Sequence, residues 1–162
     1  MEKSKDALGL VELFRRYEKM VERNGGVKSE LRRVAEPQEL LEKPSFYRLM
    51  VGKSGDNGWH SWLRVVFFFP YVKHKPGADP LGRQLAKAKI SEMRLFQVLR
   101  SDFPNDLIQL RRLVQQVEPS LDWQAFGETL YYWNKSNKQR IMQDYFLSTT
   151  PEEKSKTQGS PK

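Results

Sequence analysis

Apolar residues recur at helical spacing along most of this 162-residue chain, and this pattern constrains the fold more than any other feature of the sequence. In the first such segment they lie three or four positions apart with charged residues between them: Leu10, Phe14, Tyr17 and Val21. Because a helical turn takes about 3.6 residues, these side chains share one face, and the glycines of Asn24-Gly25-Gly26 predict the end of the helix. The chain is therefore predicted to begin with an amphipathic helix.

The following segments are also predicted to be short helices, separated by proline, glycine and capping residues. Pro37 and Pro44 divide the chain after a short second helix, and three polar residues are predicted helix caps: Ser29, Asn105 and Asp122. Two helices are predicted within residues 81–100. Their inward-facing side chains are predicted to be Leu81, Leu85, Ile90, Leu95, Phe96 and Leu99.

One apolar run is compatible with a helix or a strand. Residues 65–69, Val-Val-Phe-Phe-Phe, have the composition of a strand, but the chain offers no second strand to pair with them. We therefore predict a buried helix, then a basic, mobile loop from Lys73 to Pro80, and a last helix from about Asn137. The predicted fold class is all-α, a compact multi-helix bundle of about eight to nine helices with no sheet. Residues 1–150 are predicted to form one helical domain, and residues 151–162 a disordered C-terminal tail.

Several classes of chemistry are excluded by composition. The chain has no cysteine, which rules out disulfides, thiolate zinc sites and cysteine nucleophiles. Its two histidines, His60 and His74, lack the spacing of metal ligands on one element. Gly52-Lys53-Ser54 lacks the upstream glycine of a phosphate-binding loop, since Tyr47 stands in its place. We predict no enzymatic activity, no metal and no cofactor.

A membrane location is also not expected. The longest apolar run, residues 62–72, falls short of the roughly 20 residues needed to span a bilayer, and the charged start of the chain does not resemble a signal peptide. The sequence thus predicts a cytoplasmic protein without a membrane partner.

The net charge of +8 predicts a polyanionic partner. Most of the excess is central, because residues 53–112 contain eleven lysines and arginines against five acids. No exposed helix face carries the Asn, Arg and Gln cluster of a recognition helix, so phosphate contact without base reading is favoured. Trp59, Tyr131 and Tyr132 are the candidates for base stacking, although packing inside the protein is the commoner role of such rings.

Two arginine pairs stand inside otherwise apolar helical patterns: Arg32-Arg33, before Glu36-Pro37, and Arg111-Arg112, before Glu118-Pro119. Neighbours on a helix point about 100° apart, so one arginine of each pair must flank the buried face while the other points to solvent. Guanidinium groups placed in this way can bind phosphate. Alternatively, both pairs bind only acids of the same chain, for which the candidates are Glu30, Glu36 and Asp106.

Several ordered blocks of the sequence resemble one known family. The blocks are residues 31–37, 44–49, 81–86, 94–100, 109–113, 118–123, Trp133 and 144–150. Together they cover about residues 8–150, and they resemble the CasB family, the small subunits of the type I-E CRISPR surveillance complex called Cascade. Several blocks in the same order are far more specific than any one of them.

The resemblance implies an all-helical, non-catalytic subunit that holds nucleic acid. In this family two copies stack along the inner side of the complex, support the guide RNA and target-strand duplex, and steady the displaced strand when the R-loop forms. The implied partners are guide RNA, the target and displaced DNA strands, other Cascade subunits and a second copy of the chain. The basic residues that match family positions are Arg32, Arg33, Arg48, Arg64, Arg83, Arg94, Arg100, Arg111, Arg112, Lys135 and Lys138. At least one arginine of each pair is expected to bridge helices or subunits instead of touching phosphate.

Two other functions stay open at this point. The chain is alternatively a free-standing helical nucleic-acid-binding protein, which would not co-purify with a guide RNA and several larger proteins. It is alternatively a purely structural spacer subunit, whose bases would meet acidic protein surfaces and would give no crosslinks to nucleic acid.

Overall fold

Helices account for most of residues 6–148, the part of the chain that the computed structural model describes. The α-helices of this part are α1 (Leu10–Arg23), α2 (Gly26–Arg32), α3 (Pro44–Leu49), α4 (His60–Val66), α5 (Leu81–Lys87), α6 (Glu92–Arg100), α7 (Asn105–Val117), α8 (Trp123–Tyr131) and α9 (Lys135–Phe146). Short 3-10 helices span Pro37–Glu42, Asp56–Trp59 and Phe69–Tyr71. The prediction of an all-α fold is confirmed, and the predicted tail at 151–162 lies outside the described residues.

The prediction of no sheet needs one correction. Two strands of two residues each, β1 (Lys73–His74) and β2 (Ser120–Leu121), pair in parallel with Lys73 opposite Ser120. The backbone hydrogen bonding between the two strands continues into the predicted basic loop, where the Lys75 N–H donates to the Leu121 carbonyl at 2.8 Å. The Gly77 N–H donates to the Asp122 carboxylate at 3.0 Å. This loop is therefore held against the start of α8, and strands so short leave no alternating pattern in the sequence.

Helix boundaries lie at the predicted proline and capping residues, with two exceptions. Pro37 and Pro44 each stand in the first turn of a helix, as predicted, and the Asp122 side chain caps α8 by accepting from the Gln124 N–H at 3.0 Å. Ser29 is not a cap, because α2 already begins at Gly26. Asn105 is the first residue of α7, and Pro104 occupies the capping position.

The last helix begins two residues earlier than predicted. Asn134 caps α9, since its side-chain oxygen accepts from the Asn137 N–H at 2.8 Å. At the other end of the chain, the Asp6 carboxylate accepts from the first N–H groups of α1, including that of Leu10 at 2.6 Å. Both contacts satisfy donors that a helix start leaves without intrahelical partners.

The core is centred on aromatic rings from distant parts of the chain. Phe14 of α1 stacks on Trp123 of α8 at a centroid distance of 5.4 Å, and Phe69 meets Trp123 edge-on at 5.0 Å. The run 65–69 is buried at every position, which explains its unbroken apolar sequence and confirms the preference for helix in its first part. Phe96 was predicted to face inward, but its side chain is 37% exposed.

Close contact between α5 and α9 depends on a glycine. A Cβ atom at Gly82 would collide with the Ile141 carbonyl of α9, so only glycine allows the two helices to approach this closely. In the part of the chain that the structure describes, we find no helix with the length and apolar content needed to cross a bilayer.

Candidate nucleic-acid interface

The two arginine pairs meet at the ring of Tyr71. The guanidinium carbon of Arg32, at the end of α2, lies 5.5 Å from the ring centroid, and that of Arg111, on α7, lies 5.9 Å from it. Tyr71 closes the 3-10 helix that follows α4 and is partly buried. Segments far apart in the sequence thus converge on one aromatic residue, and each guanidinium is attracted by the face of the ring.

Arg111 serves a structural purpose. Its Nη1 donates to the Val34 carbonyl at 2.7 Å, and its guanidinium carbon lies 4.4 Å from the Phe67 ring centroid. A second, longer hydrogen bond of 3.4 Å joins Nη2 to the Ala35 carbonyl. Burial lowers the pKa of the Arg111 guanidinium, which nonetheless stays charged at neutral pH. Arg111 therefore ties α7 to the turn after α2, as expected for one member of its pair, whereas Arg32 and Arg33 of the first pair are both exposed.

The alternative that both pairs bind Glu30 and Asp106 is wrong. The Glu30 carboxylate accepts from the Ser45 hydroxyl at 2.7 Å, and that of Asp106 accepts from Trp133 Nε1 at 2.8 Å and pairs with Lys138 at 2.6 Å. Within residues 6–148 none of the four arginines forms an ion pair with a carboxylate, Glu36 included. The positive charges of these pairs are not neutralised by acids of the described chain.

Arg32, Arg33 and Arg112 are exposed, and a fourth arginine contacts the helix that carries Arg112. Arg94 of α6 is also exposed, and its Nη1 donates to the Gln116 side chain at 2.7 Å. Gln116 follows Arg112 by one helical turn, so the two side chains share one face of α7. We call the exposed Arg32, Arg33, Arg94 and Arg112 the arginine face: Gln116 links Arg94 to α7, and Arg111 links α7 to the turn after α2.

A second group of cations lies where α6 ends and α9 begins. Arg100 and Lys135 are exposed, and the Arg100 guanidinium carbon lies 5.4 Å from the Phe96 ring centroid. Lys138 is largely buried and also donates to the Ser101 carbonyl at 3.0 Å. Because Asp106 neutralises Lys138, Arg100 and Lys135 are the available charges of this group.

The remaining predicted site residues stand apart from both groups. Arg64 is half-buried, donates through Nε to the Leu130 carbonyl at 2.7 Å and through Nη2 to the Tyr131 carbonyl, and has its pKa lowered by burial. Arg83 lies 4.0 Å from Asp79, whose carboxylate also pairs with Lys87 at 3.2 Å. The hydrogen bond from Lys87 is the main reason that the pKa of Asp79 is lowered. Arg48 is exposed at the end of α3.

Sequence reasoning missed the cations of α1. Arg15 and Lys19 are exposed and line an open groove of about 720 Å³ together with His74. Arg16 donates to the Leu49 and Val51 carbonyls at 2.6 and 2.8 Å and so joins α1 to the end of α3. The spacing of Arg15 and Lys19, one turn apart on the polar side of an amphipathic helix, was the available signal.

This arrangement is that of a small helical domain with a group of exposed arginines that form no ion pair with the acids of residues 6–148. The sequence model of the family described as CRISPR-associated protein Cse2 matches residues 27–146, which include both arginine pairs. The chain belongs to this Cse2 family, which confirms the resemblance found in the sequence.

Two comparisons with individual proteins agree. The chain is 34% identical over 157 residues to the CRISPR system Cascade subunit CasB of Escherichia coli (strain K12), a match that covers 89% of this chain and 96% of the relative. It is also similar to a chain in the crystal structure of E. coli Cascade bound to a PAM-containing double-stranded DNA target. That similarity has a TM-score of 0.78 at 34% identity and covers 86% of this chain and 97% of the other.

Proposed function

We propose that this chain is the non-catalytic small subunit of a type I-E Cascade complex, in which it binds the backbones of guide RNA and target DNA without reading their sequence. In this role it stabilises the R-loop and the displaced strand beside a second copy of itself and the other subunits. Family membership supports the complex, and the arginine face carries the proposed binding role. Four exposed guanidinium groups on or next to α2, α6 and α7, none paired with a carboxylate within residues 6–148, are available to bind an anion from another molecule.

Phosphate binding explains why these residues are arginines. A guanidinium fork donates two parallel hydrogen bonds to phosphate oxygens, and this contact is the same for every base. In guided complexes the pairing of guide and target reads the sequence, so a subunit that holds the backbone needs no base contacts. Contacts with four phosphates give a slope of log affinity against log salt of about −3.6 on a duplex and about −2.8 on a single strand.

Reconstituted Cascade carrying guide RNA and this chain tests the proposal. Double substitution of Arg32→Glu and Arg112→Glu is expected to weaken R-loop formation on matched duplex DNA by a similar factor for every target sequence. The matched control is Arg23→Glu, which reverses an exposed cation at the end of α1. Binding by the double variant equal to that of the control, or loss confined to certain target bases, would refute backbone binding by the arginine face.

The composition of the purified complex and the crosslinks within it distinguish this proposal from the two alternative functions. A free-standing nucleic-acid-binding protein would bind DNA without entering the complex. A purely structural spacer would enter the complex, but crosslinks from the arginine face would reach only protein.

A further inference from the structure

An apolar groove of about 570 Å³ lies between α6 and α9. Phe96 and Leu99 of α6 and Met142 and Phe146 of α9 line it, and Leu147 lies at its end. Phe96 is 37% exposed and Leu147 is 73% exposed. Covering apolar surface of this kind is favourable by about 25 cal/mol per Å² removed from water. An exposed apolar groove bordered by charges is a candidate interaction site.

The charges of the groove stand at one end of it. Arg100 is the last residue of α6 and Lys135 is the first of α9, and both line the groove and are exposed. Lys138 lines the same end, but its charge is already neutralised by Asp106 at 2.6 Å. An occupant must therefore combine apolar side chains with negative charge near one end.

We propose that this groove binds an amphipathic helix of a different protein subunit, with its apolar side chains on the groove floor and its carboxylates against Arg100 and Lys135. A channel between two packed helices accepts a third by interdigitation of side-chain ridges. From Lys135 to Phe146 the groove follows α9 for about 16 Å, at about 1.5 Å per residue. This length matches about three turns of the bound helix.

Within residues 6–148, a second copy of this chain offers no acidic α-helix of this length. The 3-10 helix Pro37–Glu42 carries two glutamates, but it has only six residues, and its apolar Pro37 and Leu40 are buried. In each of α1 to α7 and in α9, lysines and arginines outnumber aspartates and glutamates. The exception is α8, whose single charged residue is Glu128, and this helix is packed against α1 and α4. Charge complementarity thus favours a subunit of another kind.

A nucleic acid strand fits the floor of the groove poorly. Base stacking requires an open aromatic face, but the guanidinium group of Arg100 covers Phe96 at 5.4 Å. The ring of Phe146 packs edge-on against Tyr145 at 4.9 Å and is tilted by 41° relative to Phe96. The other uncharged lining residues are Leu99, Met142, Leu147 and two glutamines, and the flexible methionine adapts to the varied shapes of protein side chains.

Photocrosslinking in the assembled complex tests this assignment. Leu147 is replaced by p-benzoylphenylalanine, Cascade is reconstituted with guide RNA, and the crosslinked peptide is identified by mass spectrometry. We expect a crosslink to a helical segment of another protein subunit that carries aspartate or glutamate. A crosslink to nucleic acid, to a second copy of this chain, or to nothing in the assembled complex would overturn the proposal.

Paired substitutions measure the contribution of the groove. Leu147→Asp and Arg100→Glu are each expected to weaken retention by a tagged complex about tenfold, because one places a charge against the apolar face of the bound helix and the other repels its carboxylates. The matched control is Val51→Asp, at a side chain that is 68% exposed after α3. Thermal denaturation of each isolated variant shows that it folds. Retention of both folded groove variants at the level of the control would also overturn the proposal, whatever DNA binding the complex shows.

Discussion

Arg111 and Arg112 are neighbours in the sequence, but we expect their substitution by alanine to affect different properties. Arg111→Ala should lower the stability of the fold, whereas Arg112→Ala should lower the affinity for nucleic acid and leave the stability nearly unchanged. Arg111→Ala removes a charge-assisted hydrogen bond of 2.7 Å to the Val34 carbonyl and a guanidinium 4.4 Å from the Phe67 ring centroid. A hydrogen bond to a charged group contributes about 1.5–3 kcal/mol, and a partly desolvated cation–π contact about 1–2 kcal/mol. Because the two contributions overlap, we expect the free energy of unfolding to fall by about 2–4 kcal/mol.

The change is measurable as a shift in melting temperature. For a domain of this size, each kcal/mol lowers the melting temperature by roughly 2–4 °C, so Arg111→Ala should melt about 5–15 °C below the parent protein. Arg112→Ala removes an exposed side chain and should change the free energy of unfolding by less than about 0.5 kcal/mol. Circular dichroism of both isolated variants provides the comparison.

A salt titration of DNA binding completes the experiment. We expect Arg112→Ala to make the slope of log affinity against log salt shallower by about 0.9 on duplex DNA, which corresponds to one lost phosphate contact. Arg111→Lys is the matched control, because it keeps the charge but lacks the planar guanidinium that donates to the Val34 and Ala35 carbonyls and packs on the Phe67 ring. Equal melting temperatures of Arg111→Ala and the parent protein, or an unchanged salt slope for Arg112→Ala, would refute the division of roles.

Two further outcomes depend on buried polar groups. Asp106→Ala leaves Lys138 and the Trp133 indole N–H without their carboxylate partner, and we expect the free energy of unfolding measured by urea denaturation to fall by about 3 kcal/mol. Asp79→Ala removes a surface ion pair and should leave the urea midpoint unchanged. Burial raises the pKa of Tyr17 above its usual range, so above about pH 10 the unfolded chain loses this proton while the folded chain keeps it, and stability falls as the pH rises. Tyr17→Phe should reduce this alkaline loss in thermal denaturation, and an identical decline in both proteins would show that Tyr17 does not cause it.

The helices of this chain were predictable because each carries its own signal. The stripe of Leu10, Phe14 and Tyr17 is buried, and Pro37 and Pro44 begin helices as the missing N–H of proline favours. Capping residues were less predictable. Ser29 has the chemistry of a cap but stands inside α2, since Gly25 and Gly26 already place the turn before it. A cap depends on where the chain changes direction, which tertiary packing decides.

The residue types of the candidate interface could be predicted from the sequence, but their positions relative to one another could not. Spacing alone indicated that one arginine of each pair borders the core; Arg111 does so, but Arg32 and Arg33 are both exposed because α2 ends at Arg32. The meeting of both pairs at Tyr71 joins segments that no local pattern connects, and Tyr71 itself was expected only to line a helix. Phe96 failed as a predicted core residue for a similar reason: its position fits the apolar stripe of α6, but α9 covers it only in part, through Phe146.

The arginine face links the stability of the chain to its affinity for polyanions. Like charges gathered on one surface repel one another and weaken the folded state, and bound phosphates relieve this repulsion. Removal of Arg112 therefore lowers repulsion slightly while it removes a phosphate contact, so stability and affinity should change in opposite directions. Removal of Arg111 frees the turn that follows Arg32 and Arg33, so stability and affinity should fall together. A positioning residue and a binding residue are thus distinguished by whether stability and affinity change in the same direction or in opposite directions. A measurement of binding alone would not reveal this difference.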